Sequence, residues 1–307
     1  MKKNSPSIIL VCIAVFSILH PTSVHALFRQ DEFSTIDASL PDSCFSTRGP
    51  TPESLWQIPA VLGLVTSPRL SFSAQSPYVQ IPDARMCGAS ATFACPSFEG
   101  VSFALGTRVF SHSNECWEWR ETETGLFFGT KLLSTESRFM PDISVAIGAK
   151  LFAVAARPED KEQEDVSDPI LENRTAPSID SGFLFEWTKF HLALSGLNLL
   201  SANLGVVVRD VVPLSLRADA QVRLSRRICC AAGIIWRTRL SGYAGLSFAS
   251  EKGHGITLSS DVDTISCLCQ LALPFATTVH GAVGIGCRVC PKSSIWTPEL
   301  ITTWRWK

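Results

Sequence analysis

The sequence predicts an all-β fold, a transmembrane antiparallel β-barrel of about 14 strands with an N-terminal plug-like segment. Three observations carry that reading. Runs of apolar–polar alternation recur along the chain, a leader of the secretory type precedes them, and no segment after residue 26 reaches the length of oil that a membrane helix needs. The clearest run is Pro213 to Ser225, where Leu214, Leu216, Ala218, Ala220, Val222 and Leu224 alternate with Ser215, Arg217, Asp219, Gln221, Arg223 and Ser225. Successive side chains on a strand point to opposite faces, so this stretch has one oily face and one polar face. At about 3.3 Å per residue and a tilt near 45°, such a strand spans roughly the hydrocarbon thickness of a bilayer.

Met1 to Ala26 has the plan of a signal peptide. Lys2 and Lys3 form the basic start, Ile8 to Leu19 the apolar run, and Val24-His25-Ala26 the small-residue cleavage site. Residues 27–68 do not alternate; Gly49-Pro50-Thr51-Pro52 and Pro59 interrupt any long element. Leu55, Trp56, Ile58, Val61, Leu62 and Leu64 are too apolar for a solvated tail, so 27–68 is expected to be a tucked-in, plug-like segment before the barrel of residues 69–307.

Strand-like runs then follow at 69–74, 86–94, 101–110, 124–134, 142–155, 181–187, 190–198, 213–224, 228–237, 242–250, 254–262, 267–273, 279–289 and 295–306. In 101–110, Val101, Phe103, Leu105 and Val109 share one face and Ser102, Ala104, Gly106, Arg108 and Phe110 the other. In 142–155, Ile143, Val145, Ile147, Leu151 and Ala153 oppose Asp142, Ser144, Gly148 and Lys150. The first eight connections have about 11, 6, 13, 7, 25, 2, 14 and 3 residues, the alternation of long outer loops with short periplasmic turns. The longest, 156–180, contains RPEDKEQEDVSD and is expected to be a solvated loop. Trp117, Trp119, Trp187, Trp236, Trp296, Trp304 and Trp306 fall at or beside strand ends, as interfacial girdles require.

A formal net charge of −1 gives no electrostatic case for nucleic acid. His112, His191, His254 and His280 stand in no hydrolase motif, no phosphate-binding glycine loop is present, and the chain is not expected to be an enzyme or to carry a cofactor. Cys267-x-Cys269 with Cys287-x-x-Cys290 imitates a four-thiolate metal spacing, but on strands 267 and 269 share a face while 287 and 290 do not; no metal is expected. Disulfides after export are the stronger reading, chiefly among these C-terminal strands. Cys229 and Cys230 cannot both face lipid. The lumen face of 213–225 supplies Arg217, Asp219, Gln221 and Arg223, either as an ion network between strands or, with Arg108, as candidates for meeting a ligand carboxylate.

Leu55-Trp56-Gln57-Ile58-Pro59-Ala60, the strand at Arg69–Ala74, the stretch from Cys95-Pro96 to Val109, and Asp180–Asn198 followed by Pro213–Leu224 resemble the long-chain fatty-acid transporter (FadL-like) barrels and their bacterial relatives. The resemblance implies a fourteen-strand barrel in the bacterial outer membrane that moves hydrophobic molecules such as long-chain fatty acids. It makes Ile58, Pro59 and Ala60 the plug motif, with Ile58 where the family has asparagine. The implied partners are those molecules, outer-membrane lipids and the barrel-assembly machinery. A polar-solute porin, or an adhesion or assembly surface built on 156–180, are the alternative readings of the same architecture.

Overall fold

A computed structural model describes residues 52–306, apart from 77–84, 114–116, 135–138, 159–171, 201–203, 205–211, 238–239, 251–253, 262–264, 275–278 and 291–294. The expected signal peptide and residues 27–51 lie outside the described residues. Fourteen strands follow two short 3-10 turns, Pro52–Trp56 and Pro59–Leu64. They are β1 Arg69–Gln75, β2 Arg85–Phe98, β3 Val101–Ser113, β4 Trp117–Leu133, β5 Asp142–Pro158, β6 Glu172–Glu186 and β7 Phe190–Leu197. The second half comprises β8 Ser215–Arg223, β9 Ile228–Trp236, β10 Leu240–Ala249, β11 Gly255–Asp261, β12 Ile265–Pro274, β13 Val279–Cys290 and β14 Ile295–Trp306.

Each strand pairs antiparallel with its sequence neighbours, and β1 closes on β14, with Arg69 opposite Arg305 and Gln75 opposite Glu299. Closure leaves no unpaired edge, which a sheet in hydrocarbon cannot tolerate. Among the described residues no helix is long and apolar enough to cross a membrane; the strands do the crossing.

Alternation fixes which solvent each face meets. On β3, Val101, Phe103 and Leu105 are exposed while Ser102, Ala104, Gly106 and Arg108 are buried. Ile147 and Leu151 on β5, Leu216 and Val222 on β8, and Ile256 and Leu258 on β11 repeat the outward oil. The buried set is rich in serine, threonine and charge. Oil outside and polarity inside is the inverse of a soluble sandwich and the pattern of an outer-membrane barrel. Leu105 is 52% exposed in the middle of β3, so Leu105→Arg is expected to cost about 2–4 kcal/mol, measured as urea-driven unfolding of the barrel refolded into lipid vesicles.

Two strands start well before the sequence indicates. β4 starts at Trp117 rather than 124 because Trp119, Glu121 and Glu123 continue the inward face; their charge belongs to the lumen, not to a loop. β6 starts at Glu172 rather than 181 and pairs through Ala156, extending the sheet where an outward polar residue costs little. Only 114–116 therefore joins β3 to β4, and the strict alternation of long and short connections breaks there. The stretch Cys95-Pro96 ends β2 rather than opening β3. A register irregularity lies between Cys95 and Phe98, and Glu99-Gly100 then turns the hairpin with φ of 52° and 91°, the positive pair of a tight hairpin turn.

The start of β1 and the end of β14 share one rim, here the near rim. The longest connections, 159–171 and 198–214, lie at the far rim, which by loop length is the outer side. Trp187 packs at the near rim between Phe185 and Phe190, with ring centroids 6.5 and 5.4 Å away, and Trp306 is exposed there. Trp236 is exposed at the far rim. Trp119 departs from the girdle expectation: it faces inward and donates from Nε1 to Glu121 Oε1 at 2.8 Å. The side chains of Trp117 and Trp296 lie outside the described ones.

Candidate functional site

The lumen is the candidate site, and residues 52–65 sit inside it. Ser54 and Ile58 close the first turn through a 2.8 Å N–H···O bond from Ile58 to Ser54, and Pro59 opens the second turn, where its missing N–H is not needed. Leu55, Trp56, Ile58, Ala60, Val61, Leu62 and Val65 are all at most 5% exposed and form one cluster with Ala94, Ala104, Phe127, Leu184 and Ala193 of the wall. The small residues at those wall positions make the room. A Cβ on Gly106 would stand 2.7 Å from Trp56 Cζ2 and 2.9 Å from Thr92 Oγ1; one on Gly182 would stand 3.3 Å from Ala60 N. Gly106→Ala is expected to cost about 1–3 kcal/mol by overpacking, seen as a lower melting temperature of the barrel in detergent.

Two consecutive residues anchor this segment to different walls. The Trp56 indole N–H donates to Thr92 Oγ1 at 2.9 Å, its ring meets Phe127 edge-on at 5.3 Å, and the Arg108 guanidinium carbon lies 4.5 Å from its centroid. Gln57 Oε1 accepts from Arg217 Nη1 on β8. The expected plug motif takes a different part. Ile58 is 3% exposed and supplies apolar packing, while the side-chain contact of this segment with β8 is made by its neighbour Gln57. Pro59 and Ala60 are buried beside it.

Two buried charge systems flank the segment. Across β3 to β6, Arg108 Nη1 lies 4.0 Å from Glu123 Oε2, and Lys150 Nζ lies 2.8 Å from both Glu123 Oε1 and Asp180 Oδ2. Asp180 Oδ1 also accepts the Asn198 N–H at 2.8 Å. All four charged side chains are under 10% exposed and alternate in sign, which makes the array tolerable away from water. On β8, Arg217 Nε donates to Asp219 Oδ2 at 2.7 Å and Oδ1 at 2.9 Å, and Nη2 donates to Tyr243 Oη at 2.8 Å. The Tyr243 hydroxyl in turn donates to Asp219 Oδ1.

The sequence-derived candidates therefore separate. Arg217 and Asp219 act together and meet the N-terminal segment; Arg108 belongs to the other system, against Trp56. Arg223 lies toward the near rim, where its N–H donates to the Lys189 carbonyl at 2.8 Å. Sequence reasoning missed Gln57 and Tyr243 as partners of Arg217, and Glu123 and Asp180 as partners of Lys150. For Glu123 a signal existed, since Trp119, Glu121 and Glu123 alternate in step with the lumen face.

Opposite these charges the wall is plain. Cys229, Ala231 and Gly233 of β9, Ser247 of β10, Thr257 and Ser259 of β11 and Ser266, Leu268 and Ala272 of β12 face inward, all small or uncharged. Cys229 is buried and Cys230 faces out, as the alternation requires. Toward the far rim, Phe152 and Val154 form a second apolar cluster with Leu204 and Val212 of the β7–β8 connection, with Trp119 and Ala176 against it. Lys150 Nζ lies 5.5 Å from the Phe152 ring and marks the boundary between this cluster and the charges.

No protein-family model and no curated protein matches the sequence. Solved structures do match in fold. A Pseudomonas aeruginosa FadL homologue aligns with TM-score 0.58 and 7% identity over 83% of this chain and 94% of that one. The Ralstonia pickettii toluene transporter TbuX gives 0.58 and 7% over 83% and 93%. The Pseudomonas putida toluene transporter TodX gives 0.55 and 9% over 87% and 97%. With strand number, closure and oily exterior in agreement, the chain has the fold of the FadL-like outer-membrane barrels.

Proposed function

We propose that this barrel is a passive outer-membrane channel for hydrophobic small molecules, with residues 27–68 as its plug. The observation that carries the reading is the apolar segment packed inside the barrel. Trp56 and Leu62 build a buried cluster with the wall, and the charges beside it are engaged with one another or with that segment. A water-filled porin leaves this space to water, whereas a plugged barrel occupies it with protein. An apolar molecule would lodge first against Phe152, Val154, Leu204 and Val212, then replace the N-terminal segment in the lower cluster. Burial alone drives each step, with no covalent chemistry.

Cargo class divides on the arginines. The solved neighbours include toluene transporters, and toluene carries no charge, whereas the FadL resemblance points to long-chain fatty acids. A fatty-acid carboxylate is a better acceptor for Arg217 than the Gln57 amide oxygen, so its arrival would release Gln57 and loosen the plug. Arg108 and Arg223 are the other candidate carboxylate contacts. Outer-membrane lipid would cover the oily exterior, and the barrel-assembly machinery would insert it.

The test is uptake of labelled oleate and labelled toluene by outer-membrane-intact cells that produce the barrel. Increased uptake of oleate, cut severalfold by Arg217→Met while any toluene uptake is unchanged, is the expected result. Increased uptake of a small sugar without either apolar compound would sink the proposal in favour of a porin.

A further inference from the structure

The lipid-facing wall carries three thiols where the register brings two strands together. Cys267 of β12 is the direct cross-strand partner of Cys287 of β13. Both point outward: their lumen-facing neighbours Ser266 and Leu268 on β12 and Gly286 on β13 are buried, while Ile265 and Ile285 are exposed. Cys269 shares the outward face two residues along β12, but its own partner is Ile285, so it has no thiol across from it. All three are free.

The geometry points to a cross-strand disulfide, Cys267–Cys287, as a covalent staple in the β12–β13 wall. Directly opposed residues in an antiparallel pair bring their Cα and Cβ atoms to about 4.5–5.5 Å, within or close to the separations a disulfide bridges. An exported barrel meets compartments in which disulfides form and persist. The reaction is thiol–disulfide exchange with a disulfide oxidant. The thiolate of Cys267 attacks one oxidant sulfur and expels the other as a thiolate; the thiolate of Cys287 then attacks the mixed disulfide and expels the second. The two barrel thiols lose two hydrogens and the oxidant leaves as two thiols, so atoms and electrons balance. Cys269, beside Cys267 on the same strand, is the competing nucleophile, and register favours Cys287 over it. The inference rests on the barrel register and is independent of what the channel carries.

The test uses full-length protein from isolated membranes, alkylated without reduction, digested and mapped by mass spectrometry. The expected product is one linked pair of peptides joining Cys267 to Cys287, with Cys269 alkylated. Reduction should split the pair, Cys287→Ser should abolish it, and Cys269→Ser should leave it intact. Alkylation of all three thiols in the membrane-derived protein, or a link from Cys267 to Cys269, would overturn the assignment. Folding of each variant is checked separately by the gel shift of the heated against the unheated barrel, so a lost link is not mistaken for a lost fold.

Discussion

Replacing Lys150 with methionine is expected to destabilise the barrel by about 3–5 kcal/mol, the cost of leaving buried charge without its partner. The ammonium group lies 2.8 Å from a carboxylate oxygen of Glu123 and 2.8 Å from one of Asp180, and both carboxylates are nearly inaccessible to water. Arg108, at 4.0 Å, compensates Glu123 weakly. Asp180 keeps its bond from the Asn198 N–H, so the loss falls hardest on Glu123. The measurement is the denaturant midpoint of the barrel in lipid vesicles. A control separates lost charge from lost bulk: Glu123→Gln and Asp180→Asn added to Lys150→Met should restore part of the stability, because buried amides cost less than unpaired buried carboxylates even though Arg108 loses its Glu123 partner. If the triple variant is as unstable as the single one, the effect is packing and the ionic account fails.

Trp56→Ala is the second large effect. Truncating a buried tryptophan costs about 3–5 kcal/mol, and here the side chain also gives its N–H to Thr92 and its face to Arg108. The cost need not unfold the barrel, because the strand ladder does not pass through residue 56. It is expected instead to unseat residues 52–65, which protease protection reports: cleavage within 27–68 should become at least tenfold faster while the barrel stays intact. Equal protection in the wild type and the variant would mean that Trp56 is not an anchor. Gln57 would then hold the segment through Arg217 alone.

How far the sequence is legible follows from where each signal is local. β8 could be read outright, because Leu216 to Val222 alternate within one strand and Arg217 and Asp219 sit two residues apart on the same face. β4 was half hidden. Glu121 and Glu123 look like loop residues until a lumen is available to receive them, since in this fold polar residues belong inside. The start of β6 was hidden for a related reason: Asn173 and Arg174 show no oily alternation, and only their pairing with Ala155 and Val154 puts them in the sheet. The site was legible only in its local part. Gln57 and Arg217 are 160 residues apart and Arg217 and Tyr243 are 26 apart; closure of the barrel, not any pattern along the chain, brings them together. Cys267 and Cys287 belong to the same class, since only the register of β12 on β13 singles out that pair from the other cysteines.

The central claim is that residues 52–65, seated inside the barrel, keep it closed to water and ions, and single-channel recording in a planar bilayer tests it most directly. The account predicts silence from the wild-type protein at moderate voltage and steady ohmic conductance once Trp56→Ala and Gln57→Ala together remove both anchors. A wild-type barrel that already conducts steadily, with the double variant no different, would contradict it. The lumen would then be an open aqueous pore.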